Sequence, residues 1–179
     1  SEQGVANWIS QFLLSYHGLD PQKIGAETVA YFWGLMTAGG VLGLLLLKIM
    51  DSRFVLITFT GLAIVSLAIA LFGTSSMALI AFPMVGFFAS VLYPIIFSLA
   101  LNSVSEHHGS FSGIMVTGII GGAIAPLIIG WLGDNIGLRF GMCFLFLTLG
   151  FIFSIGFWAK PIITNKTISI FKKKEDSIA

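Results

Sequence analysis

Charge is what this sequence has least of. Its 179 residues include 8 acidic and 9 basic side chains, 9% of the chain, where a soluble domain carries about 25%. So few charges could not cover the surface of a water-soluble domain without leaving large apolar patches. Cysteine is nearly missing as well. Cys143 stands alone, which excludes an internal disulfide framework and leaves the redox compartment open. A net charge of +1 provides no basic field for nucleic acid. Low hydrophobicity, the mark of disorder, is absent too. Hydrophobic residues make up 56% of the chain, and the mean hydropathy is +0.98. What remains is an integral membrane protein.

A helix crosses about 30 Å of hydrocarbon with roughly 20 apolar residues. Runs of that kind are Ala26–Leu47, Phe54–Phe72, Met77–Asn102, Phe111–Leu132 and Phe140–Trp158. Pro83, Pro94 and Pro126 lie inside them, which neighbouring helices allow by satisfying the freed carbonyls. The polar stretches Gly73–Ser76, Ser103–Ser110 and Gly133–Arg139 read as connections. Continuous apolar runs without period-2 alternation exclude a membrane barrel. The segment Ser1–Tyr16 is apolar but makes only about 24 Å of helix. With neither a start signal nor a signal-peptide layout, it reads as a span whose beginning is missing. The expected fold class is an all-α integral membrane bundle of six transmembrane helices. Residues 1–159 would form the bundle and residues 160–179 a Lys-rich tail.

The basic residues set an orientation. Lys48, Arg53, Lys160, Lys166, Lys172, Lys173 and Lys174 fall on one side, and Lys23 and Arg139 on the other. The positive-inside rule makes the first side cytoplasmic, with the C-terminus there. The tail then serves as a topology anchor that attracts anionic headgroups. Asn165-Lys-Thr167 fits a glycosylation pattern but falls on the wrong side for it.

Fifteen of the 17 charged residues fall in connections or in the tail, and Glu2 and Glu27 do not. An intramembrane carboxylate costs several kcal/mol and is a functional candidate by default. Glu2 sits about 21 Å from the outer end of its span. It is either a proton or cation site facing a cavity or a group paired with a neighbouring helix. Glu27 opens the second span, where the helix dipole favours a carboxylate. Gln3, Asn7, Ser10 and Gln11 share one helical face. Their amides suit a polyhydroxylated solute, and Trp8 beside them suits the apolar face of a sugar; interhelical hydrogen bonding is the alternative. Tyr93 precedes Pro94, which should kink the helix, and lies deep enough to line a cavity. Gly118, Gly122, Pro126 and Gly130 form a small-residue ridge, and Gly39 and Gly43 a shorter one, both suited to close helix packing. His107 and His108 read as a solvated loop, since adjacent histidines point apart and no further ligand accompanies them. No metal site, cofactor motif or hydrolase or kinase signature is present, so the chain is not expected to be an enzyme.

Tyr93-Pro-Ile-Ile-Phe-Ser-Leu-Ala-Leu101 resembles the span-ten motif of the fucose–proton symporter family, within the major facilitator superfamily. The run from Ser112 to Asp134, with its Gly121-Gly122 pair and its Gly130-x-x-x-Asp134 end, resembles the span that follows. Ser1-Glu-Gln-Gly-Val-Ala-Asn-Trp8 is similar to the seventh span. The likeness runs from Glu2 to Trp158. It implies spans seven to twelve of a twelve-span sugar permease in the cell membrane, with an N-terminal six-span half as partner. Such a half is a 3+3 inverted repeat, and the solute binds between the halves near the midplane. The implied activity is sugar transport of the fucose, glucose or galactose type by proton symport, with H⁺ or Na⁺ as coupling ion. The implied sugar-contact residues are Gln3, Asn7, Trp8, Gln11 and Tyr93, with Glu2 for coupling or gating. One motif departs from the family: Gly43 is followed by Leu44 where a Gly-Arg pair is usual, although Asp51 and Arg53 of the loop motif remain. A drug or organic-anion carrier of the same fold is the alternative, against which stands the lack of a basic residue inside a span. The other alternative is a six-span sensor or assembly subunit that does not transport.

Overall fold

Short connections with strong stop and start signals shape this chain. In a computed structural model, which describes residues 1–103 and 108–159, the elements are helical throughout. Helix α1 (Glu2–Ala6) and α2 (Ile9–His17) run end to end, and Gly18 closes α2 in the left-handed conformation at φ 64°, where a Cβ would be penalised. Asp20 then starts the next helix. Its carboxylate accepts from the Gln22 and Lys23 amides at 2.8 and 3.3 Å, with Pro21 at the first helical position, where its missing N–H is harmless. A π-helical turn (Pro21–Gly25) leads into α3 (Ala26–Ile49). Asp51 caps α4 (Ser52–Phe72) by accepting from the Arg53 amide at 2.8 Å.

The fourth span is two helices, α5 (Ser75–Ala89) and α6 (Leu92–Leu101). Pro94 has no N–H to offer the Ser90 carbonyl, and the chain turns at Ser90 and Val91. Pro83, by contrast, lies inside α5 without interrupting it. The fifth span is α7 (His108–Thr117), one 3₁₀ turn (Gly118–Ile120) and α8 (Gly121–Ile136). The last is α9 (Leu138–Met142) and α10 (Phe144–Trp158). The expected connection Gly133–Arg139 is therefore shorter than its polarity suggested. Gly137 alone, at φ 91°, reverses the chain, and Asp134 and Arg139 lie within helices.

Among the described residues, five stretches are long and apolar enough to cross a membrane: Pro21–Ile49, Ser52–Phe72, Ser75–Leu101, Gly109–Ile136 and Leu138–Trp158. The core forms around α5, which packs on α3 and α4 and touches α1 and α2. Phe82 of α5 meets Phe12 of α2 edge-on with ring centroids 5.5 Å apart. Gly39 and Gly43 of α3 lie against Phe87, Ser90 and Val91, and Gly86 of α5 against Phe32, so at each contact one helix presents bare backbone to its neighbour. Gly156 of α10 accommodates Ile57 of α4 in the same way. Large apolar side chains remain outside: Leu127 is 72% exposed and Leu147 71%. Such a surface belongs in hydrocarbon, where every helical amide is satisfied within its own helix.

Candidate functional site

Two helix interruptions, at the α5–α6 break and at the 3₁₀ turn of the fifth span, border one cavity. It has a volume of about 670 Å³, within the range of small-molecule sites. Glu2 and Gln3 enter it from α1, Ser90, Tyr93 and Pro94 from the α5–α6 break, Gly118 and Gly122 from the fifth span, and Thr148 from α10. Two backbone acceptors are freed beside it. Pro94 leaves the Ser90 carbonyl and Pro126 the Gly122 carbonyl without the usual i+4 donor. Irregular backbone at membrane depth is tolerated where it is buried in protein or lines a water-filled cavity. The Ser90 hydroxyl donates to the Phe87 carbonyl at 2.7 Å. Tyr93 is 43% exposed and tilts against Phe97, ring centroids 6.1 Å apart. The Gln3 amide has no hydrogen-bond partner among the described residues, and its stem lies against Gly122.

The remaining residues of the polar stripe open elsewhere. Asn7, Trp8 and Gln11 line a second pocket of about 380 Å³ with Ser15, Tyr16, Gly130, Gly133, Asp134 and Leu138. Trp8 separates the two spaces. Its indole N–H donates to the Pro126 carbonyl at 3.0 Å, and its ring lies against Gly130, where a Cβ would stand 2.8 Å from it. The Asn7 amide nitrogen donates to the Gln3 carbonyl at 2.8 Å, at the break between α1 and α2. Gln11 donates to the Ser15 hydroxyl at 3.3 Å. The Arg139 backbone amide donates to the Tyr16 hydroxyl at 3.0 Å. Its guanidinium carbon rests 4.4 Å from the centre of the Tyr16 ring, within cation–π range.

The structure therefore brings Glu2, Gln3 and Tyr93 together, and Asn7, Trp8 and Gln11 together, in adjoining spaces. Asp51 and Arg53 line neither space. Their charged groups pair at 3.8 Å, and Arg53 donates to the Ala159 carbonyl at 3.1 Å, joining the start of α4 to the end of α10. Glu27 accepts from the Tyr31 hydroxyl one turn along at 3.0 Å. Of the small-residue ridge, Gly122 meets Gln3 and Gly130 meets Trp8, whereas Gly118 faces open space. His107 and residues 160–179 lie outside the described residues. No group of three potential metal ligands occurs among the described residues.

Sequence reasoning passed over Ser15, Tyr16, Ser90, Asp134 and Thr148. Ser15 had a signal, since it continues the stripe one turn beyond Gln11. Asp134 fell in what reads as a polar turn. Ser90 and Thr148 had none, because isolated hydroxyls in apolar helices commonly bond their own backbone.

Comparison with known proteins fits this architecture. The sequence pattern of the Major Facilitator Superfamily matches residues 1–176. A glucose/galactose transporter of Brucella abortus (biovar 1, strain 9-941) is 36% identical over 137 residues, covering 73% of this chain and 33% of the relative. A putative glucose/galactose transporter of Helicobacter pylori (strain 26695) is 36% identical over 118 residues, covering 65% of this chain and 28% of the relative. The chain thus spans about a third of the length of these curated relatives. No solved structure matches. With a match over nearly its whole length and a fold of apolar membrane-crossing helices, the chain belongs to the Major Facilitator Superfamily: it is a multi-pass membrane protein of a transporter family, not an enzyme.

Proposed function

We propose that this chain is the C-terminal six-span half, spans seven to twelve, of a sugar transporter of the glucose, galactose or fucose type. Residues 1–159 form the bundle and residues 160–179 a cytoplasmic tail, in the inner or plasma membrane. The partner is an N-terminal six-span half, and the sugar sits between the halves. Rocking of one half against the other exposes the site to each side in turn. Gln3 and Tyr93 hold sugar hydroxyls, the freed Ser90 and Gly122 carbonyls add acceptors, and Asn7, Trp8 and Gln11 continue the polar path along the first span. Glu2 is the coupling group: it carries a proton with the sugar and releases it on the cytoplasmic side.

One observation carries this reading. An intramembrane carboxylate, an amide and a phenol meet at the wall of a single cavity where two helices are interrupted. The relatives' names support a hexose as the solute. The same cavity has no lysine or arginine in its wall, which fits a neutral solute better than an organic anion.

The test uses the full-length protein in proteoliposomes with labelled glucose, galactose and fucose. The expected result is saturable counterflow of at least one of them and accumulation driven by an inward proton gradient. Glu2→Gln should abolish accumulation and retain counterflow, because an amide still hydrogen-bonds but no longer carries a proton. Accumulation by Glu2→Gln at the unaltered rate removes Glu2 from coupling. Absence of counterflow for every hexose overturns the sugar reading.

A further inference from the structure

The second pocket has no role in the central cavity, and its chemistry is not that of helix packing. We infer that it is a separate vestibule that binds one neutral hexose before the sugar reaches the central cavity, with Asp134 as its principal hydroxyl acceptor. This rests on the sugar reading above and adds a second site to it.

The two spaces share no lining residue. On the first span the central cavity uses residues 1–3 and the pocket uses Asn7 to Tyr16. Eight residues of helix, from Gln3 to Gln11, place the pocket about 12 Å further along the axis. That is toward the end of the bundle bearing Gly18 and Lys23, the non-cytoplasmic end on the charge asymmetry of the sequence. The Trp8 indole, bonded across to Pro126, lies between them. A solute arriving from outside meets the pocket first.

Its groups suit a sugar. The Asp134 carboxylate lies at the wall, and among the described residues no cation pairs with it. Asn7 gives one N–H to the Gln3 carbonyl and Gln11 one to Ser15, so each amide keeps a second N–H and its carbonyl oxygen for a sugar hydroxyl. Trp8 supplies aromatic surface for the C–H face of a pyranose, whereas the Tyr16 ring carries the Arg139 guanidinium. Gly130 carries no side chain, which lets the Trp8 ring lie flat against α8 at the wall. Asp134 at the wall repels an anion. A volume of about 380 Å³ lies at the small end of ligand sites, which run from about 300 to 1,000 Å³, and suits one monosaccharide.

The test is the stoichiometry of hexose binding to the full-length protein, read by isothermal titration with galactose and with glucose, together with the KM for entry into right-side-out proteoliposomes. The wild type should bind two hexoses per polypeptide. Asp134→Asn, nearly isosteric and on an exposed position, should bind one and raise the entry KM at least tenfold. Gln11→Ala should act in the same direction, and it carries the test if Asp134→Asn does not fold. Gln3→Ala should weaken the central site and leave a single, vestibular hexose. A wild type that binds one hexose, with an entry KM unmoved by Asp134→Asn or Gln11→Ala, overturns the vestibule and leaves the sugar reading standing. A wild type that neither binds nor moves any hexose overturns both.

Discussion

Gly39 and Gly40 are neighbours in sequence and opposites in surroundings, so replacing each by alanine isolates the packing of α3 on α5. A Cβ on Gly39 would press into the Phe87 carbonyl oxygen and stand 2.7 Å from the Ser90 hydroxyl, while one on Gly40 would meet nothing within 4 Å. Alanine is favoured over glycine in a helix by about 1 kcal/mol. In hydrocarbon, however, the helices must remain hydrogen-bonded even when apart, so most of that gain cancels between the packed and separated states. The packing term survives. Forcing a methyl into a filled site costs about 1–3 kcal/mol, and here the obstacle is backbone, which cannot rotate away. Gly39→Ala should therefore destabilise the bundle by about 1–3 kcal/mol, with Gly40→Ala close to neutral. Gly150→Ala on α10, also facing open space, is a control on a different helix. The assay is reversible unfolding of the full-length protein in mixed micelles by added SDS, followed by tryptophan fluorescence. If Gly39→Ala is as stable as Gly40→Ala, α3 and α5 do not meet at this glycine and the packing described for them is wrong.

Substitutions at two further positions probe the chain's punctuation in the same assay. Gly137→Ala forces a side chain onto a backbone at φ 91°, beside the Tyr16 hydroxyl, and should cost about 1–3 kcal/mol; an unchanged midpoint would show that the turn does not hold this conformation. Asp51→Ala removes the cap of α4 and should cost about 0.5–2 kcal/mol. Asp51→Asn should restore most of it, because the exposed ion pair with Arg53 adds only about 0–1 kcal/mol and the acceptor oxygen does the rest.

The spans were legible because apolar run length is set by the membrane rather than by tertiary contacts. Their ends were less so. Gly133–Arg139 looks like a loop because it holds charge, yet Asp134 and Arg139 stay helical, since a side chain near a helix end can reach polar surroundings without breaking the backbone. The three interior prolines were alike in sequence and unlike in outcome. Pro94 sits at the third position of a new helix, where a missing N–H is easily absorbed, and a break precedes it. Pro83 lies in the middle of α5 with Ala81, Phe82 and Val85 buried around it, and packing holds the helix through it. The polar stripe of the first span was visible as a face. A helical wheel gives the angle of a side chain but not its reach, so nothing in the spacing of Gln3, Asn7 and Gln11 foretold that Trp8 would cross to the Pro126 carbonyl and divide the face in two.

That crossing has a mechanical consequence. The indole, at the junction of α1 and α2, holds the first span to α8 at one level. It is one tie among several. Gly4 lies against Ala125 and Ile129 on one side of it, and the Tyr16 hydroxyl accepts from the Arg139 amide on the other. The first span is thereby pinned along its length to the α8–α9 arm, and the two move as one piece.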